Sequence, residues 1–209
     1  SVFSILTSVV AGSSIRKGAD KLKKVKTFFL NTKEVGCMAK LKPFDVPGTF
    51  LDNEENPSFE KADAAVFGIA FDTTASYNKG AWFGPQSIMA ASHQIEFEAP
   101  VFGLRLTDKI KIHSLGLLEY DRPIKSGKWV EWPEKKIQEA CEQMVSDVKT
   151  VAGQILKNKK LLVGLGGEHS TANGIFQAIA KQVDPKEVTL VHVDAHLDLR
   201  DALEGFQYS

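Results

Sequence analysis

Two short clusters of polar residues in this 209-residue chain have the types and spacing of ligands rather than of solvated surface. The first is Gly164-Leu165-Gly166-Gly167-Glu168-His169-Ser170, and the second is His192-Val193-Asp194-Ala195-His196-Leu197-Asp198. Asp194, His196 and Asp198 recur every second residue, the period of an extended strand, so the spacing predicts that all three side chains leave on one face. Two acids and a histidine buried there without a metal would be costly unless they paired. Carboxylates with imidazoles and no thiolate suit a hard or borderline divalent ion, and Mn²⁺ fits them better than a structural Zn²⁺. A carboxylate can bridge two such ions, and a water held between them loses a proton at about pH 7, which is the chemistry of a hydrolase. His169 follows an apolar run and three glycines and is read as a further ligand. His192 lies within an apolar run and is read as a hydrogen-bonded core residue. His93 and His113 have no supporting constellation and are given no catalytic role.

The glycines at 164, 166 and 167 sit between a predicted strand and a predicted helix, which invites a dinucleotide-binding reading. That fingerprint needs a third glycine at 169 for close packing of helix on strand, and His169 stands there instead. The glycines are read as giving the backbone room to bring His169 over the edge of a sheet.

Such a site needs strands that end side by side. From residue 63 onward, short apolar runs alternate with helical patterns, as in α/β layer structures. Ala64–Phe71, Ile112–Leu117, Leu161–Leu165 and Val188–Val193 read as strands. A helix begins near Pro85, where proline suits the first turn. Pro133 opens the longest helix, to about Lys157, with Ile137, Cys141, Met144, Val148, Val151 and Ile155 on one stripe. Thr171–Lys181 is a further helix that buries Ile175, Phe176 and Ile179. Leu161–Leu165, this helix and Val188–Val193 form a predicted βαβ unit with parallel strands, whose carboxyl ends carry both polar clusters.

Composition narrows the function classes. With 43% hydrophobic and 25% charged residues the chain can bury one substantial core. Its 26 Lys and Arg balance 26 Asp and Glu, so no net field favours nucleic acid or an anionic membrane surface, and a small-molecule partner fits better. Two distant cysteines, Cys37 and Cys141, provide neither a disulfide framework nor a thiolate zinc site, which fits a reducing cytoplasm. No apolar run is long enough to cross a bilayer. Residues 1–33 hold seven basic residues against one acid, Asp20, as organelle transit peptides do, but the segment from Met38 reads as an ordinary start. Residues 1–37 are therefore set aside as an extension, and 38–209 are read as part of a single domain.

Gly166-Gly167-Glu168-His169-Ser170 followed by Asp194-Ala195-His196-Leu197-Asp198 resembles the first two metal-binding signatures of the ureohydrolases, the arginase and agmatinase family, in order and in separation. Upstream, Phe67-Gly68-Ile69-Ala70-Phe71-Asp72 and Gly80-Ala81-Trp82-Phe83-Gly84-Pro85 resemble the family's first strand and its Gly-Ala-Arg-x-Gly-Pro loop, with Trp82 in place of the arginine. Asn78 and Lys79 replace a common Arg-Pro, and Glu168 stands where arginases more often have aspartate. The resemblance implies a three-layer αβα fold with a central parallel sheet, of the arginase/deacetylase type, incomplete at the C-terminus, and trimers or hexamers. It makes His169 a ligand of a first manganese, Asp194 the bridge, His196 a ligand of a second, and Asp198 a ligand of the first that also orients the hydroxide and so acts in catalysis. The family's remaining two ligands, its catalytic histidine and its substrate-binding glutamate lie downstream of Ser209, so the 209 residues alone are expected to be inactive. Arginases place an asparagine where this chain has Arg200. The run from Leu199 is similar to agmatinases, which implies agmatine as substrate, with guanidinobutyrate or arginine as alternatives. The competing expectation is a truncated, non-catalytic binding or regulatory protein.

Overall fold

The computed structural model describes residues 41–45, 48–52, 56–76, 78–96, 98–99, 101, 103–105, 109–198, 201–202 and 208. The expected extension at 1–37 and Arg200 lie outside the described residues.

The centre of the molecule is β1, Ala64–Ala70, whose seven residues are all buried. An apolar run buried on both faces is what a central parallel strand requires. It pairs in parallel with β4, Ile112–Glu119, on one side and with β7, Leu161–Leu165, on the other. Short antiparallel ladders are formed by β2, Glu98–Ala99, with β3, Leu104–Arg105, and by β5, Ile124–Lys125, with β6, Lys128–Trp129.

Alternation along β1 sorts its side chains into two layers. Ala65, Phe67, Ile69 and Phe71 pack with helix α2, Glu134–Lys157, and helix α3, Ala172–Ala180. Ala64 and Val66 pack on the opposite face with Leu51, Ile112 and Leu165, next to Ile88 of helix α1, Gly84–Ser92. The result is helix, sheet, helix. The α2 stripe is the expected one at Cys141, Met144, Val148 and Ile155, with Val145 and Ala152 added. Pro133 supplies an extended N-cap, and Lys159, at φ 56, turns the chain out of the helix. Helices α2 and α3 meet closely at Gly174, where a Cβ would lie 2.6 Å from that of Val148.

One expected strand does not form. Residues 188–193 join no ladder, and Leu190, Val191 and Val193 are 58%, 70% and 82% exposed. A parallel strand gains stability from a neighbour's hydrogen bonds and from a helix over each face. Among the described residues this segment has neither. The expected βαβ unit is therefore present only as β7 and α3, and the described sheet has three strands.

Candidate metal centre

The loop after β7 is shaped by its contact with the end of β1. Because β1 and β7 are parallel, their carboxyl ends lie side by side. Glu168 N donates to Phe71 O at 2.9 Å. A Cβ on Gly167 would stand 2.0 Å from that same carbonyl oxygen, so only glycine fits between the two loops. The chain then makes a 3₁₀ turn, His169–Thr171, before entering α3.

Glu168 fastens this turn to the loop after β1. Its Oε1 accepts from Ser170 Oγ at 2.8 Å, from Thr74 N at 3.3 Å and from Thr74 Oγ1. Burial pushes its carboxyl above the usual range, while the bonds from Thr74 and Ser170 and the charge of Lys79 pull it back. Its Oε2 has no hydrogen-bond partner among the described residues. No spacing in the sequence gives Glu168 a role; its signal is a carboxylate inside a loop of glycines, where the backbone of the neighbouring loop comes close.

His169 Nδ1 lies 2.9 Å from Asp198 Oδ2 and 3.9 Å from Asp194 Oδ2. His192 Nε2 lies 3.8 Å from Asp194 Oδ2 and 3.9 Å from Asp198 Oδ2. One ligand atom from each of His169, His192, Asp194 and Asp198 falls within 4.8 Å of the others, close enough to serve one cation. The two imidazole rings are 5.3 Å apart, tilted by 45°. Asp194, with only 7% of its side chain exposed, is the hub. Its Oδ1 accepts from His196 N at 2.9 Å and lies 3.3 Å from His196 Nδ1.

Thus three residues picked out from the sequence, His169, Asp194 and Asp198, are brought together. The fourth, His196, stands beside Asp194 but outside the compact group, with 79% of its side chain exposed. The strand geometry expected to align 194, 196 and 198 is absent: 194–196 form a bend, and Asp198 adopts φ 49. The acids reach His169 through this turn instead, a conformation that aspartate tolerates better than most residues. His192 is corrected as well: with 26% of its side chain exposed it faces the acids rather than a core. The signal was present, because His192 extends the alternation of 194, 196 and 198 by one more step.

His93 and His113 instead hold the upstream chain, through Thr49 O at 3.0 Å and Pro57 O at 2.7 Å. Among the described residues, no helix is long and apolar enough to cross a membrane.

The chain is similar to an agmatinase of Bacillus anthracis, at 30% identity over 152 residues, which are 73% of this chain and 46% of that protein. It is equally similar, at 30% over 159 residues, to an N(1)-aminopropylagmatine ureohydrolase of Synechocystis, covering 76% of this chain and 48% of the relative. Among solved structures, the agmatine ureohydrolase of Thermoplasma volcanium superposes with a TM-score of 0.57 at 32% identity, over 73% of this chain and 44% of that one. The chain therefore spans about half the length of the relatives it matches. The arginase family model matches residues 62–209, which include the sheet, both polar clusters and the loop between β1 and α1, and on that match the chain belongs to the arginase family.

Proposed function

We propose that this chain provides part of the two-Mn²⁺ centre of a guanidino-compound hydrolase, with agmatine as its substrate and putrescine and urea as products. The observation that carries the reading is the convergence of His169, Asp194 and Asp198 from two separate loops within an arginase-family chain. The donor set fits the cofactor: imidazole nitrogens and carboxylate oxygens, with no sulfur, suit Mn²⁺. His169, Asp194, His196 and Asp198 would hold the ions, with Asp194 shared between them. His196 already stands 3.3 Å from Asp194 and would complete the set by turning its ring inward. When bound, the ions would supply Lewis acidity, lowering the pKa of a water toward about 7 and favouring negative charge on the group under attack.

Glu168 holds the turn that carries His169, through Ser170 and Thr74. We assign Asp198 the role of orienting the attacking water and taking its proton, which then passes to the departing amine. His192 Nε2, 3.8 Å from Asp194 and 3.9 Å from Asp198, is assigned a place beside the ligands rather than among them. The guanidinium carbon is the atom attacked, and the departing amine takes up a proton as urea forms. A second reading has a specific basis in the Synechocystis relative, whose substrate is a larger N-substituted agmatine. We place the protein in the cytoplasm, as a trimer or hexamer.

Two measurements test this. Mn²⁺ titration of the chain, followed by electron paramagnetic resonance, should show binding weakened by about 10-fold or more in Asp194→Asn and His196→Ala, and by less in His192→Ala. A larger loss in His192→Ala than in His196→Ala would exchange their roles. Urea release should then be compared for agmatine, aminopropylagmatine, guanidinobutyrate and arginine, using the protein of the complete reading frame loaded with Mn²⁺. Equal or better use of arginine would refute the agmatinase reading while leaving the family intact.

A further inference from the structure

A second group of side chains at this edge of the sheet shares no residue with the His169 cluster. Arg122 follows β4 by three residues, and its guanidinium carbon lies 4.8 Å from the ring centre of Phe83, 5.1 Å from that of Trp129 and 5.2 Å from that of Trp82. Its Nε and Nη2 donate to Asp72 Oδ1 and Oδ2 at 3.4 and 3.3 Å. The Asp72 side chain is fully buried, and that of Arg122 is 16% exposed. Three segments build this enclosure: the end of β1, the 3₁₀ turn Ala81–Phe83 and the β5–β6 hairpin.

The walls are themselves held in place. Trp82 Nε1 donates to Tyr120 O at 3.0 Å, which orients the indole. Asp72 Oδ2 also accepts from Gly80 N at 2.8 Å, which orients the carboxylate. A planar, weakly hydrated cation set against aromatic rings and donating through two nitrogens to one carboxylate is an arrangement that favours guanidinium over ammonium. An ammonium also lies near Trp129: Lys79 Nζ is 5.4 Å from its ring centre, but its hydrogen bonds go to the carbonyl oxygens of Asp72, Thr73 and Ala75 and not to the Asp72 carboxylate.

We infer that Trp82, Phe83, Trp129 and Asp72 form a guanidinium-binding box whose resident ligand is Arg122 of the same chain, and which takes a free alkylguanidinium when that side chain is removed. Arg122 is then an internal ligand that clasps the β5–β6 hairpin to the loop after β1. The box does not depend on a metal or on the hydrolase reading, and either can fail without the other.

The experiment uses the full chain carrying Arg122→Gly, with N-ethylguanidinium as the probe and ethylammonium as the control. Tryptophan fluorescence should change saturably with N-ethylguanidinium, with a Kd on the order of millimolar, and Tm should recover in parallel. Ethylammonium at equal concentration should do neither, and adding Asp72→Asn should abolish the response. A variant that is folded by circular dichroism yet shows no saturable change, or responds equally to ethylammonium, overturns the proposal. Should Arg122→Gly fail to fold, the wild-type chain decides by NMR. The Arg122 Nε–H signal should be slow to exchange and shifted upfield by the rings, and Trp129→Ala should remove that shift; a signal at the position of a free arginine overturns it.

Discussion

The two loops that meet at His169 and Asp194 begin from similar sequences and end differently. Leu161–Leu165 and residues 188–193 are both apolar runs, and each is followed by a polar cluster with histidine and acid. The first became β7, with β1 beside it and α3 packed against it through Ile175, whose Cδ1 would lie 2.7 Å from a Cβ on Gly164. The second forms no ladder and, although Val188 packs partly against the core, leaves Val191 and Val193 exposed. A strand is therefore a property of a neighbourhood as much as of a run of residues. The polar clusters still meet: the β7 side is held by backbone packing and hydrogen bonds, and the acids of the other side lie 2.9 and 3.9 Å from His169.

That contrast can be broken from its strong side first. Met144, fully buried in the core beneath β1, should cost about 2–5 kcal/mol when changed to alanine, read as a fall in the urea midpoint at unchanged m-value. Gly167→Ala should cost about 1–3 kcal/mol, since the new Cβ meets the backbone of Phe71, which has little freedom to retreat. In that variant the amide of Glu168, bonded to Phe71 O, should also exchange its hydrogen faster. A neutral Gly167→Ala would mean that the two loops are not held against each other.

The third effect is one of pH. The folded state holds the Glu168 carboxyl above its usual range, so it binds a proton more tightly than the unfolded chain does. Its ionisation therefore costs stability as pH rises, with the penalty absent below about pH 4, where both states are protonated, and complete above the folded-state pKa. Glu168→Gln, measured in chelator, should gain stability relative to the parent chain between acid and neutral pH and show no such gain at the acid end. A gap of the opposite slope would mean that the bonds from Thr74 and Ser170 outweigh burial. The smallest effect belongs to the other region: Val193→Ser should stay within about 0.5 kcal/mol, because that side chain is already in water. A cost like that of Met144→Ala would show the run to be covered.

Much of the layer order was legible because it rests on local periodicity. Ala64–Ala70, Glu134–Lys157 and Leu161–Leu165 follow from runs of apolar residues and from a stripe at spacings of three and four, and the structure places them within a residue or two of the expected bounds. His169, Asp194 and Asp198 stood out because ligand types at short, regular spacing are rare without a purpose. His192 did not, since its apolar neighbours hid the alternation it shares with Asp194.

The sequence by itself determined which segments could be helix or strand, which residues have the types and spacing of metal ligands and, through its signatures, the family. Only the tertiary structure decided that Glu168 would be buried against Thr74, ninety-four positions away, and that Arg122 would be boxed with Asp72, fifty positions away. It also decided that 188–193 would remain outside the sheet. The physical reason is the range of the interactions: a periodic pattern expresses preferences over one or two turns, whereas desolvation, ladder pairing and cation–aromatic contact depend on which distant segments the fold brings within a few ångströms.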